Sequence, residues 1–192
     1  MHRRHLLDIL RSYRDAYPAE AGVVQRIGAF TESHADCFER SCLAGHITAS
    51  AWIVSADYRD ALLTHHAKLD RWLQLGGHCD GDPDPFSVAL REAREESGMA
   101  EFREASGVEV PLPLDVDIHR IPARGSEPEH DHLDLRYLLV AGAGQEIVCS
   151  EESKDLRWIA RDRIHAVTTE ESVLRLERKA RVRLGEAGVG VA

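Results

Sequence analysis

The sequence predicts a mixed α/β (α+β) domain, a sheet flanked by helices, behind an N-terminal helical extension. Three observations carry this. Apolar residues recur with helical spacing before residue 45, period-two and β-branched segments follow, and one helix with sharp ends interrupts those segments. The 192 residues, 43% apolar and 30% charged, suit one globular domain at about 100–200 residues per domain.

Leu6, Leu10, Tyr13 and Tyr17 lie at steps of four, three and four, which predicts an amphipathic helix over 5–17, stopped by Pro18. A second helix starts near Ala19, with Val23, Ile27 and Phe30 on one side. These helices form an extension over 1–44, and the turn signal at Gly45 opens the main domain, 45–192. Ile47–Val54 alternates and reads as a strand; Ala61–Thr64 is its hairpin partner. Arg71–Leu75 reads as a short third strand ended by Gly76-Gly77. A helix follows over 85–97. Val116–Ile121 alternates again, and Leu135–Val140 reads as a more buried strand. A strand containing Trp158 and two helical stretches, 161–168 and 170–185, complete the chain.

Acids number 33 and bases 24, a formal net charge of −9. That sign argues against nucleic acid as a partner, because a phosphate backbone requires a basic surface. No apolar run approaches the roughly 18–20 residues of a membrane span, and Asp8 and Arg11 break any signal-peptide core, so a cytoplasmic protein is expected. Cys37, Cys42, Cys79 and Cys149 form no CxxC pair and read as reduced thiols.

The segment Gly76–Met99 carries the chemistry. Asp84 is an N-cap, Pro85 a first helical residue, and Gly98 a C′ residue. At 100° per residue, Phe86, Ala89, Leu90, Ala93 and Ser97 share the core-facing arc. Val88, Glu92, Glu95 and Glu96 share another. Glu92 is i,i+3 from Glu95 and i,i+4 from Glu96, so like charges adjoin. Asp80, Asp82 and Asp84 crowd the preceding turn, giving six acids in seventeen residues. Capping and the helix dipole explain part of that; a hard divalent cation would neutralise the rest.

This segment resembles the Nudix box, the signature of the Nudix hydrolase family, G-x5-E-x7-R-E-U-x-E-E-x-G-U with U bulky and apolar. Gly77 takes the opening glycine, and Arg91-Glu92-Ala93-Arg94-Glu95-Glu96-Ser97-Gly98-Met99 takes the closing run. Pro83 stands where the pattern has its early glutamate, flanked by Asp82 and Asp84. The resemblance implies an α/β/α sandwich with a mixed sheet, and Mg²⁺- or Mn²⁺-dependent hydrolysis of a diphosphate linkage in a nucleoside diphosphate derivative. It implies Glu92, Glu95 and Glu96 as metal ligands, Glu92 or Glu95 in a catalytic role, and Arg91 orienting a glutamate. A later-loop acid, for which Glu152 is preferred over Glu151, would be a base or extra ligand. Gly77, His78 and Asp80 would meet the substrate.

A Nudix-like sensor or interaction module that binds a nucleotide or metabolite without cleaving it is the alternative reading, given weight by Pro83. A nucleoside triphosphate or an isoprenoid-type diphosphate is another substrate class. His130-Asp131-His132 invites a zinc reading, since residues two apart on a strand point the same way. With no HExxH motif and no CxxC partner for Cys79, these residues read instead as exposed groups at a strand start that help form the substrate mouth. Trp52, Trp72, Trp158 and Tyr137 read as core. The face Leu6, Leu10, Tyr13 offers either a homodimer surface or a face packed on its own domain.

Overall fold

The computed structural model describes residues 2–67, 69–105, 110–125, 127–150 and 153–185. Helix α1 (Arg3–Ala16) ends at Pro18, which opens a single 3-10 turn, and α2 (Ala21–Ser33) follows. Strands β1 (Gly45–Val54) and β2 (Asp60–His66) form the expected hairpin, with Ile53 opposite Leu62. The single strand expected over 71–75 is two strands. β3 (Arg71–Leu73) pairs with β2, while β4 (Leu75–His78) pairs with β1. Gly76 and Gly77 therefore lie inside a strand rather than ending one. Helix α3 (Pro85–Ser97) has the bounds expected of it. β5 (Phe102–Glu104), too short to show a period, was not foreseen. β6 (Asp115–Ile121), β7 (His130–Ala141), β8 (Ser153–Ala160), α4 (Ile164–Val167) and α5 (Glu171–Arg183) complete the order.

Among the described residues, eight strands form one mixed sheet. β1 and β7 run parallel at its centre, from Gly45 opposite Asp131 to Val54 opposite Val140. Each central strand changes partner along its length. β1 pairs with β4 through Thr48–Ala51 and with β2 at Ile53–Val54. β7 pairs with β6 through Arg136 and with β5 from Leu139. All ten residues of β1 are buried, so elements cover both its faces.

On one face, Ile47, Ala49, Leu133, Leu135 and Tyr137 pack with Val88 and Ala89 of α3, and with Leu6, Ile9, Leu10 and Tyr13 of α1. The apolar face of α1 thus lies inside its own chain rather than at a dimer surface. Val88, grouped in sequence with the acidic arc, is fully buried there. On the other face, Trp52, Val54, Leu138 and Val140 pack under Val173, Leu176 and Ala180 of α5. Cys37, Cys42 and Cys79 are buried and Cys149 is exposed, all as free thiols. No helix among the described residues is long and apolar enough to cross a membrane.

Next to α5 the second face becomes charged. Arg136, 3% exposed, donates from Nε to Asp134 (2.8 Å), from one terminal nitrogen to Asp115 (3.2 Å) and from the other to Asp117 (2.8 Å). Thr48 and Ser50 hydroxyls donate to Asp134 at 2.8–3.0 Å. Arg175 and Lys179 of α5 reach Asp115 at 2.9 and 2.8 Å, and Lys179 also binds Tyr13 and Glu20. Burial pushes the Asp115 and Asp134 carboxyls up. The neighbouring cations and hydrogen bonds outweigh it and hold both below the ordinary carboxylate range.

Removing one member strands the others in low dielectric. Asp115→Asn is expected to destabilise the fold by about 3–5 kcal/mol in urea or thermal melts at neutral pH. A depressed carboxylate pKa stabilises the native state above the unfolded value and loses that contribution as pH falls through the folded one. The gap between wild type and Asp115→Asn should therefore stay constant above about pH 4 and narrow below it. A gap unchanged at pH 3 would refute the assignment.

Candidate active site

The turn before α3 is built from the aspartates that the sequence left ambiguous. Asp82 accepts from the Asp84 amide at 2.9 Å. Asp84 in turn caps the helix, accepting from the Phe86 amide (3.1 Å) and the Ser87 hydroxyl (2.7 Å). Asp80, in a left-handed conformation (φ 50°), takes a bidentate pair from Arg40 at 2.6 and 2.9 Å. These three acids therefore have protein partners: capping accounts for Asp82 and Asp84, as expected in part, and Arg40 accounts for Asp80, which leaves the helix glutamates as the acids a cation would neutralise. Pro83 supplies no carboxylate.

The helix glutamates differ from them and from one another. Glu92 is 15% exposed and lies over β4. A Cβ on Gly77 would stand 2.6 Å from its carboxylate, so only glycine allows this approach. Arg91 donates through one terminal nitrogen to the His78 carbonyl (2.8 Å) and to Glu92 Oε1 (2.9 Å), tying α3 to β4 and holding the carboxylate in place. Glu92 hydrogen bonding raises the Arg91 pKa, so the guanidinium keeps its charge. Glu95 is exposed and Glu96 half-buried one turn on. Gly98, at φ 70°, closes the helix, its amide donating to the Arg94 carbonyl (2.9 Å). The set of Glu92, Glu95 and Glu96 is all oxygen, suited to Mg²⁺ or Mn²⁺. Glu151 and Glu152 lie outside the described residues.

His78 follows Gly77 with its ring among other histidines, 5.0 Å between centroids from both His46 and His132. His130 and His132 are not exposed groups at a strand start. β7 begins at His130, and both rings are half-buried, His130 against β1 and His132 against β1 and β6. The ladder explains this: His46 of β1 lies opposite His132, and His119 of β6 opposite the same residue. Desolvation lowers all four inner rings, His78 to about 4 and His132 to about 2, with His46 and His119 moved in the same direction. They are neutral near pH 7. His46 and His119 carry no local motif, so only strand register could have revealed them.

Similarity to known proteins agrees with this geometry. The family model described as the NUDIX domain matches residues 45–176, from the first residue of β1 into α5. A Caenorhabditis elegans Ap4A hydrolase, solved as a binary complex, superposes with a TM-score of 0.57 at 16% identity, covering 73% of this chain and 98% of that one. A NUDIX family hydrolase from Clostridium perfringens gives 0.57 at 23%, covering 73% and 97%. The NUDIX domain of Shewanella oneidensis NrtR, complexed with ADP ribose, gives 0.50 at 17%, covering 81% and 97%. No curated protein matches the chain. These likenesses establish the fold, while the family match spans more than two thirds of the sequence and includes the whole strand–turn–helix unit that presents Glu92, Glu95 and Glu96: the chain belongs to the Nudix family.

Proposed function

We propose that this protein is a Mg²⁺- or Mn²⁺-dependent pyrophosphohydrolase that cleaves a diphosphate linkage in a nucleoside diphosphate derivative. The observation that carries the reading is the Arg91-braced Glu92 carboxylate over Gly77, with Glu95 and Glu96 one turn along the same helix. A pure binder has no need to keep three adjacent carboxylates, which cost about 0.2–0.5 kcal/mol per pair on a helix surface. The sensor reading is weaker on that ground. The bound ADP ribose in the NrtR domain supports a nucleotide-derived substrate class.

Glu92, Glu95 and Glu96 would hold the cation. When bound, it supplies neutralisation of phosphate charge and a more acidic attacking water. The residues of this chain do the rest. Arg91 is a positioning residue that fixes Glu92 relative to the β4 backbone. A carboxylate of the set, Glu92 or Glu95, accepts a proton from the attacking water, with Glu152 a further candidate. Gly77 leaves the space in which the Glu92 carboxylate sits. Asp80 at this strand end is the substrate-side candidate, already neutralised by Arg40, which reduces its repulsion of an anionic ligand; the His78 ring turns to the face of β4 away from α3, so a contact from it would come from that side.

Three measurements test the reading. First, a panel of nucleoside diphosphate derivatives with Mg²⁺ or Mn²⁺, both products read by mass spectrometry, should yield two phosphate-bearing or phosphate-terminated fragments for at least one member. Nucleoside triphosphates and isoprenoid diphosphates belong in the panel. Ligand binding without product across it would favour the sensor. Second, Glu95→Gln and Glu96→Gln should each lower metal-dependent kcat/KM about a hundredfold or more with an unchanged circular dichroism spectrum. Full activity in both variants would sink the proposal. Third, Gly77→Ala sets a methyl group against the Glu92 carboxylate, the mobile end of a side chain that can swing away. Thermal stability should then change by only about 1 kcal/mol, whereas kcat should fall about a hundredfold through misplacement of that carboxylate.

A further inference from the structure

His46, His130 and His132 offer ring nitrogens that all lie within 4.8 Å of one another, from two strands locked in parallel register. We infer that these three side chains form a second metal site, chemically distinct from the carboxylate set of α3, that takes a borderline divalent cation of the zinc class and ties the start of β1 to the start of β7.

Three features of the geometry support it. The Nε2 atoms of His130 and His132 are 3.3 Å apart. Two nitrogens bound to one tetrahedral Zn²⁺ at about 2.0–2.1 Å stand at about that separation. His130 Nδ1 lies 2.9 Å from the Pro128 carbonyl. A carbonyl only accepts, so Nδ1 carries the proton and the Nε2 lone pair turns toward His132. That is how a backbone carbonyl orients a metal-binding imidazole. Finally, His46 is 4% exposed, and neither of its ring nitrogens makes a well-formed hydrogen bond, the Cys42 backbone being its one nearby polar group of favourable sign other than Asp80. A His130–His132 hydrogen bond would account for those two rings by themselves. It leaves both polar atoms of His46 buried beside them without a well-formed hydrogen bond, its ring 5.0 Å from His130 and 4.8 Å from His132 between centroids. A cation bound by all three satisfies the set at once.

The donor chemistry sets the ligand class. Three imidazole nitrogens suit Zn²⁺, Co²⁺ or Ni²⁺ and suit Mg²⁺ poorly, since Mg²⁺ prefers oxygen and keeps its waters. The site is therefore not a spare position for the cation proposed at Glu92, Glu95 and Glu96. His78 is the nearest further imidazole, and it joins the site to the strand that holds Gly77.

The test uses the full chain, stripped of metal by a chelator and titrated with Co²⁺, whose visible absorption reports tetrahedral nitrogen coordination. One Co²⁺ should bind per chain and be displaced by Zn²⁺ but not by a large excess of Mg²⁺. His130→Ala and His132→Ala should each weaken binding at least about tenfold. His165→Ala, on α4, should leave it unchanged, as should Glu95→Gln combined with Glu96→Gln. That last variant separates this site from the proposed hydrolytic one, which can fail or hold independently. His46→Ala removes a buried ring and can cost the fold, so the half-buried His130 carries the test. Absence of stoichiometric tetrahedral Co²⁺ would overturn the inference and leave the histidines as a hydrogen-bonded cluster only. So would a signal that survives in both histidine variants or disappears in the glutamate variant.

Discussion

The parallel register of β1 against β7 is the constraint on which the rest of the molecule hangs. Because side chains alternate with period two, a one-residue slip would exchange the two faces of both strands. It would carry His46, Thr48 and Ser50 into the apolar layer under α3 and bring Ile47 and Ala49 out of it. The buried charges forbid that slip. Asp134 takes hydroxyl donors from Thr48 and Ser50 on one side and the Arg136 guanidinium on the other. Those bonds can form only when Thr48 stands opposite Asp134 and Ser50 opposite Arg136. A buried network of this kind contributes little net stability over a well-packed apolar core, but it penalises every misregistered arrangement heavily. The same network recruits the outer helices: Asp115 draws in Arg175 and Lys179, and Lys179 binds Tyr13 and Glu20 at the other end of the chain. The helices before Gly45 therefore share the charge network as well as the apolar core.

With that register set, the strand beneath the candidate site is determined. β1 spends its first half on β4 and its last residues on β2, which places Gly77 opposite Ala49 and His78 opposite Thr48. Gly77 then lies on the α3 side and His78 on the polar side of the same strand. Glu92 occupies the space over Gly77, and Arg91 links it to the His78 carbonyl. Arg40 clamps the turn between β4 and α3 through Asp80. The geometry of the glutamates is thus inherited from backbone pairing, with the arginine as the hinge between helix and sheet.

Much of this was legible in the residues. α3 was readable to its ends because capping is local: Asp84, Pro85 and Gly98 act within a turn of themselves. The box spacing made the glutamates visible for the same reason. Partner exchange by β1 was not legible, because Arg71–Leu75 reads as one strand and Gly76-Gly77 as its end. Only the tertiary setting shows that the chain breaks at Gln74 and crosses from β2 to β1. Val88 was misassigned because a helical wheel gives angles but not how wide an arc the neighbours cover. The acids of the turn were ambiguous in sequence for a different reason. Asp80, Asp82 and Asp84 have partners that an acid count cannot see, and one of them, Arg40, is forty residues away. The histidine cluster was hidden most deeply, since His46 meets His132 only through a parallel pairing 86 positions apart.

The net charge of −9 takes its functional meaning from where the cations are spent. Arg136, Arg175 and Lys179 are bound to Asp115, Asp117 and Asp134; Arg40 to Asp80; Arg91 to Glu92. Each of these guanidinium or ammonium groups is held by a carboxylate partner, which limits its availability to a phosphate. For the anionic substrate proposed above, a cation from solution would then supply the missing positive charge, and the oxygen donors of α3 suit a hard one. The imidazoles across β4 would select differently, because they present nitrogen. Placing the two donor sets on opposite sides of one strand allows the fold to discriminate between cations by ligand chemistry. At the two proposed sites, a metal that prefers nitrogen would sit near the glutamates without competing for them, and a hard cation at α3 would leave the strand that positions Glu92 undisturbed.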